Sequence, residues 1–269
     1  MENYQAVFKR KEIKYLLSRE ERDALLPILK AYMEPDAFAH SSISNLYYDT
    51  PDFRMVRRSL EKPMYKEKLR LRSYGTPEDT STVFPEIKKK AMGIVYKRRI
   101  SLPYQKAVSF LSGQQIASTD TCDGTTRQIF HELDWMLASY EDLAPRVFLS
   151  YERDSYKGIS DPSLRLTLDQ DILFRTDRLD LREGAFGEAI LLPDQTLMEV
   201  KISNAAPLWL AQALSEIGIF PVSFSKYGRA YEQICRDPRR RQEMNEHAEI
   251  DAHTKMNEHA KEMEIKRYA

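Results

Sequence analysis

Tyr65-Lys66-Glu67-Lys68-Leu69-Arg70-Leu71-Arg72-Ser73-Tyr74-Gly75 is the stretch whose reading decides the fold. Side chains alternate across a β-strand. Lys66, Lys68, Arg70 and Arg72 therefore share one face, while Tyr65, Leu69 and Leu71 take the other. A single strand with a cationic face is ordinarily a solvated one. Here the pattern returns along the chain.

Phe8 to Leu16 places Arg10, Glu12 and Lys14 together, and Phe84 to Lys90 does the same with Glu86, Lys88 and Lys90. Val95 to Ser101 aligns Lys97 and Arg99, and Val147 to Arg153 ends with Tyr151 and Arg153 on one side. In Leu164 to Asp169 three leucines oppose Arg165, Thr167 and Asp169, and in Leu197 to Ser203 Glu199 and Lys201 oppose Met198, Val200 and Ile202. Surface charges normally mix their signs, so a repeated cationic face argues for a shared interior. The expected architecture is α+β: a closed antiparallel β-barrel with a basic lumen and helices packed outside. Like charges gathered in a confined space repel, so the lumen calls for a polyanion. Arg and Lys suit phosphate oxygens, and the few acidic positions suit a divalent cation that bridges phosphates.

The 269 residues carry 41 Lys and Arg against 41 Asp and Glu. With zero formal net charge, the basic signal is local, which argues against nucleic-acid binding through bulk charge. Cys122 and Cys235 lie far apart without metal-ligand spacing, which predicts free thiols in a reducing compartment. The N-terminus has no apolar leader and no run reaches membrane-spanning length, so a cytoplasmic protein is expected.

Ser18-Arg19-Glu20-Glu21 has capping-box spacing ahead of Leu25, Leu26, Ile28 and Leu29, with Pro27 expected to bend or shorten the helix. A strand is predicted over Ile43 to Tyr48, a short helix over Phe53 to Leu60, and a hairpin across Met92-Gly93. Helices follow at Tyr104 to Leu111 and Thr125 to Leu143, then at Pro207 to Ile217 beside the barrel mouth. A closing helix runs from Phe224-Ser225-Lys226-Tyr227-Gly228 through Ile234. Residues 1–237 form the expected domain. Residues 238–269 form a polar tail in which Met244-Asn245-Glu246-His247-Ala248 recurs as Met256-Asn257-Glu258-His259-Ala260. Six-residue spacing turns His247, His253 and His259 by about 240° each on a helix, so they share no face for a metal.

Taken in order, these words resemble the VTC (vacuolar transporter chaperone) catalytic domain, a branch of the triphosphate tunnel metalloenzymes. The resemblance rests on Arg10-x-Glu12-x-Lys14-Tyr15, Leu46-Tyr47-Tyr48-Asp49-Thr50, Leu69 to Gly75 and Glu86-Ile87-Lys88. It continues through Tyr151-Glu152-Arg153, Leu164 to Asp169, Leu197-Met198-Glu199-Val200-Lys201 and Phe224 to Gly228. It implies an antiparallel tunnel holding a nucleoside triphosphate or polyphosphate with Mn or Mg, and, in this branch, synthesis of inorganic polyphosphate from ATP. By motif, Lys14, Arg70, Arg72, Lys88, Lys97, Arg153, Arg165 and Lys226 would grip phosphates. Arg10, Arg99, Lys201 and Tyr151 would assist in binding, and Glu199 with Glu12 would hold the metal.

The hydrolase branch opens with Glu-x-Glu-x-Lys, and Arg10 replaces the first carboxylate here, which favours the polymerase branch. The eukaryotic polymerase carries a lysine where Ser223 stands. Hydrolysis of tripolyphosphate or a nucleoside triphosphate, with Glu12, Glu86 or Asp169 orienting water, is the first alternative. A non-enzymatic polyphosphate-binding module is the second. The chain has no membrane segment of its own, and the resemblance allows a membrane-protein partner.

Overall fold

The computed structural model describes residues 11–92, 94–114, 123–140, 142–203, 205–240 and 242. Arg10, Cys122 and the histidine-bearing repeat of the tail lie outside them. In chain order the elements are β1 (Lys11–Leu17), α1 (Arg19–Tyr32), β2 (Met33–Asp49), α2 (Arg54–Leu60), β3 (Tyr65–Tyr74), β4 (Thr82–Ala91) and β5 (Ile94–Arg99). There follow β6 (Leu102–Pro103), α3 (Tyr104–Leu111), α4 (Gly124–Ser139), β7 (Ala144–Gly158), β8 (Arg165–Arg175), β9 (Glu188–Ala189), β10 (Thr196–Ile202), α5 (Leu208–Ile217) and α6 (Lys226–Arg236).

One antiparallel sheet in the order β1-β10-β8-β7-β2-β3-β4-β5 dominates the fold. The expected closure of the barrel is not met, since among the described residues no ladder joins β5 to β1. Both edges are charged, with Lys11, Glu12 and Lys14 on β1 and Lys97, Arg98 and Arg99 on β5, a common device against edge pairing. Groups from its two ends nevertheless lie within electrostatic reach of one another. Lys88 on β4 acts electrostatically on Glu12 of β1 and Lys201 of β10, and Lys14 of β1 acts on Lys68 of β3.

The outer face carries two apolar layers. Leu46, Leu69, Leu71, Ile87 and Phe148 pack under α3 and α4, and Tyr15, Leu17, Leu166, Met198 and Val200 pack under α1 and α5. Ser18 caps α1 in a full capping box with Glu21. Pro27 stays inside this helix, which runs on to Tyr32. α5 lies against α1 on the outside, with Leu210, Ala213 and Leu214 in the shared core. Glu67 and Lys89, which break the charge alternation of their strands, face outward and find partners there. Glu67 accepts from the hydroxyls of Tyr65 (2.5 Å) and Tyr140 (2.7 Å), and Lys89 reaches Glu132 of α4.

The concave side is not cationic throughout. Ile43, Tyr47, Val147, Leu149, Tyr151 and Leu197 fill part of it together with Val56 of α2 and Tyr227, Ala230 and Ile234 of α6. A bulge in β8 contributes. Register slips between Ser150 and Glu152 of the partner strand, and Asp171 adopts φ 48°. The extra residue inverts side-chain parity, so Ile172 and Phe174 point inward beside Leu149, whereas Leu166 and Leu168 point outward. No helix among the described residues is long and apolar enough to cross a membrane.

Candidate phosphate-binding site

The word Phe224-Ser225-Lys226-Tyr227-Gly228 shows how local sequence builds the site. Ser225 caps α6, its Oγ accepting from the Gly228 amide (3.1 Å) and from Lys68 Nζ (3.2 Å). A Cβ on Gly228 would come within 2.9 Å of Leu60, so the glycine lets α6 press onto α2. Tyr227 stacks on Tyr47 at 4.3 Å and donates its hydroxyl to Asp49 (2.8 Å), which also accepts from the amides of Met55 and Val56. Lys226, the first helical residue, is thereby aimed at the sheet interior.

There it meets two carboxylates, donating to Glu199 Oε1 (2.9 Å) and pairing with Asp169 Oδ2 (2.5 Å). Arg153 forks onto Asp169 with Nε to Oδ1 (2.6 Å) and Nη2 to Oδ2 (2.7 Å), and stands 3.5 Å from Glu199. Lys14 reaches Glu199 at 3.1 Å and Glu12 at 3.5 Å. Burial alone would raise the Glu199 carboxyl, but Lys226, Lys14 and Arg153 outweigh it and hold it well below the ordinary range. Burial likewise opposes the charge on Lys226, and Glu199 and Asp169 more than restore it.

A second cluster surrounds Glu86, which is 1 % exposed at its side chain. Arg70 donates Nε (2.8 Å) and stands at 2.7 Å through Nη2, Lys97 lies 2.8 Å from the other oxygen, and Arg72 approaches to 3.9 Å. Arg70 also donates to Tyr47, and Arg72 to Asn45 (3.0 Å) and Tyr151 (3.2 Å). Burial pushes the Tyr47 and Tyr151 phenols up, but the neighbouring cations prevail and lower both.

Burial pushes the Glu86 carboxyl up, and Arg70, Arg72 and Lys97 override it, bringing it from 4.5 down to about 2. A depressed carboxyl stabilises the fold fully above its unfolded value and loses that contribution as pH falls through its folded value. Stability should therefore fall between about pH 5 and pH 2, with roughly 3 kcal/mol at stake. Urea titrations across this window should show the decline in the native protein and a shallower one in Glu86→Gln.

Lys68 and Lys97 behave in the opposite sense. Burial lowers both to about 8; Lys14, Lys66 and Lys88 add to the effect at Lys68, while Glu86 opposes it at Lys97. An ammonium is lost above its pKa, so affinity for tripolyphosphate should weaken as pH rises from 7 to 9. The ligand's own charge only grows over that range. Calorimetric titration of the native protein and of the Lys68→Arg, Lys97→Arg pair, which should be flatter, checks this.

The structure thus brings together Lys14, Arg70, Arg72, Lys97, Arg153 and Lys226 with Glu12, Glu199 and Tyr151. Lys88 and Lys201 lie on the same inner face, and no ion-pair partner stands within reach of either among the described residues. Two residues stand apart. Arg165 pairs with Asp36 at the rim, and Arg99 sits exposed over the Phe84 ring. Glu86 and Asp169, expected only as helpers of water attack, turn out to anchor the arginines. Asn45 and Tyr47 were readable from strand parity in Leu46-Tyr47-Tyr48-Asp49-Thr50 but carry no charge to draw attention.

Glu12 and Glu199 occupy neighbouring strands; burial and then Glu199 oppose ionisation of Glu12, and Lys88, Lys14 and Lys201 prevail and lower its carboxyl. Among the described residues no three His, Cys, Asp or Glu side chains converge on one point. Lys14 pairs with both carboxylates.

The family model of the VTC domain matches residues 9–235. Among solved structures, a candidate adenylate cyclase from Bacillus halodurans is similar at 17% identity and TM-score 0.48, covering 81% of this chain and 94% of that one. A candidate adenylate cyclase from Vibrio parahaemolyticus is similar at 16% identity and TM-score 0.47, covering 84% and 99%. A candidate adenylyl cyclase from Hippeastrum, described as having a dominant triphosphatase activity, is similar at 17% identity and TM-score 0.46, covering 80% and 92%. Likenesses at this level bear on neither reaction nor substrate. Among curated proteins none matches the chain significantly.

Proposed function

Because the chain belongs to the VTC domain family, we propose that it is a metal-dependent polyphosphate polymerase that moves the γ-phosphoryl group of ATP onto a growing inorganic polyphosphate chain. The observation that carries this reading is the state of the inward carboxylates. Glu86, Asp169 and Glu199 each already face two or more cations. Carboxylates paired in this way are weak bases toward water. Burial would raise the carboxyl of Glu12, the remaining inward acid, but Lys88 and Lys14 prevail and lower it as well. A reaction whose nucleophile is already ionised needs no such base, and the terminal oxygen of a phosphate chain is ionised near neutral pH. Phosphoryl transfer asks mainly for positioning and charge neutralisation.

In this reading Arg70, Arg72, Lys97, Arg153 and Lys226 exchange part of their contact with carboxylates for contact with phosphate oxygens. Arg153 and Arg70 present forked donors, and Lys14, Lys88 and Lys226 supply point charges. The carboxylates keep these cations oriented before substrate arrives, so little reorganisation is needed. Glu199 and Glu12 would hold Mn or Mg, which would supply positive charge against the phosphates. ATP and polyphosphate are the proposed partners, the cytoplasm the proposed location.

Incubation of the protein with ATP and Mn or Mg, followed by gel electrophoresis, tests the proposal. A ladder of chains that a polyphosphatase destroys is expected. Orthophosphate without chains would replace the proposal with hydrolysis, and neither product would reduce the protein to a binding module.

A further inference from the structure

The cations of the concave face fall into two groups. Lys14, Arg70, Arg72, Lys97, Arg153 and Lys226 are held by Glu86, Asp169, Glu199 or Glu12. The second group has no acid within ion-pair distance among the described residues and includes Lys201 on β10 and, on β3 and β4, Lys66, Lys68, Lys88 and Lys90. β3 and β4 set these four on two adjacent rungs, Lys68 opposite Lys88 and Lys66 opposite Lys90. The rungs continue directly from the Arg70–Glu86 rung and run to the β4–β5 turn after Ala91. Glu12 reaches the inner end of this row only by its field, acting on Lys88 without ion-pair contact.

The row is built rather than incidental. Lys66 Nζ is held by the Ser59 carbonyl at the end of α2 (3.0 Å) and Lys68 Nζ by the Ser225 cap of α6 (3.2 Å). Both contacts are neutral, so both ammonium charges stay uncompensated. Lys66 is lowered by burial and by Lys90, Lys88 and Lys62, and Lys68 by burial and by Lys88, Lys66 and Lys14. Four like charges on two adjacent rungs, Lys66 and Lys68 partly buried and Lys88 and Lys90 exposed, gain most from a ligand that carries several negative charges at short, regular spacing. Lys66 and Lys90 each lie four strand residues beyond the Arg70–Glu86 rung, about 13 Å along the strands, so a short triphosphate filling the acid-anchored cluster would not reach them.

Resting on the function proposed above, we propose that Lys66, Lys68 and Lys90 form an extended track for inorganic polyphosphate, holding the chain beyond its reacting end. The acid-anchored cluster takes the reacting phosphates, and the track takes the following ones and carries the chain toward the β4–β5 turn. The track selects long chains over short ones and keeps the product bound between additions.

Binding of medium-length polyphosphate and of tripolyphosphate should be measured by calorimetry, side by side, for the native protein, for Lys66→Gln/Lys68→Gln/Lys90→Gln, and for the corresponding triple arginine variant. Lys106→Gln, on the exterior helix α3, is the control. The glutamine variant is expected to lose about 30-fold or more in affinity for the long chain and far less for tripolyphosphate. The arginine variant should retain long-chain affinity, which separates charge from folding. Equal losses for both ligands, or no loss for the long chain, would overturn the track. If the native protein binds neither ligand, the proposed function itself fails; if it binds both but makes no chains, the track is judged by the affinity ratio alone.

Discussion

Replacing Glu199 with Gln is expected to lower the rate of phosphoryl transfer by at least about 10²-fold while changing tripolyphosphate affinity only modestly. Glu199 joins three cations drawn from three elements: Lys14 of β1, Arg153 of β7 and Lys226 of α6. It is also one of the two carboxylates proposed to hold a divalent cation. The amide keeps the shape and loses the charge, so it orients those cations less firmly and binds a cation poorly. Anion affinity should survive, because removing a negative charge from a cationic face does not repel phosphate. Steady-state rates with ATP, read beside calorimetric affinity, separate the two effects. Unchanged turnover would remove this carboxylate from the reaction.

Asp169→Asn should give the largest effect on stability, a loss of about 3–5 kcal/mol in unfolding free energy. Asp169 is fully buried and holds the Arg153 fork and Lys226 at once. Its removal leaves two largely buried cations with only Glu199 between them. Burial disfavours the charge on both; Tyr151 and then Asp169 restore it at Arg153, and Glu199 and then Asp169 at Lys226. Tripolyphosphate can replace the missing charge, so it should raise the melting temperature of this variant more than that of the native protein. Equal shifts in the two proteins would show that the ligand does not reach these cations.

Strand alternation made much of this legible. Lys66 to Arg72, Glu86 to Lys90 and Glu199 with Lys201 all fall on the concave face as their parity predicts. The capping box at Ser18 and the helix over Tyr104–Leu111 were equally plain, because each is a local pattern with a local cause. Closure of the sheet was not legible. It depends on whether the charged edges β1 and β5 pair, and nothing in either strand alone decides that. The bulge at Asp171 escaped notice for a related reason. A single aspartate with positive φ inverts the parity of Ile172 and Phe174, and periodicity counted from Leu164 cannot register it.

The site divides in the same way. The cations were visible from spacing, but which of them are anchored was not. Register sets Arg99 opposite Glu86 and Lys97 opposite Lys88, yet it is Lys97 that reaches Glu86, diagonally; Lys226 reaches Asp169 and Glu199 from α6, which Gly228 lets lie against α2. Arg165 looked equivalent to Arg153 in sequence, yet Asp36 of β2 claims it at the rim.

The claim at the centre of this account is transfer to phosphate rather than to water. Phosphorus NMR of a reaction with ATP and Mg, followed in time, counts ADP, chain phosphate and orthophosphate in one sample. The account predicts one internal chain phosphate gained for each ADP, with orthophosphate near zero. One orthophosphate for each ADP and no chain resonance would contradict it.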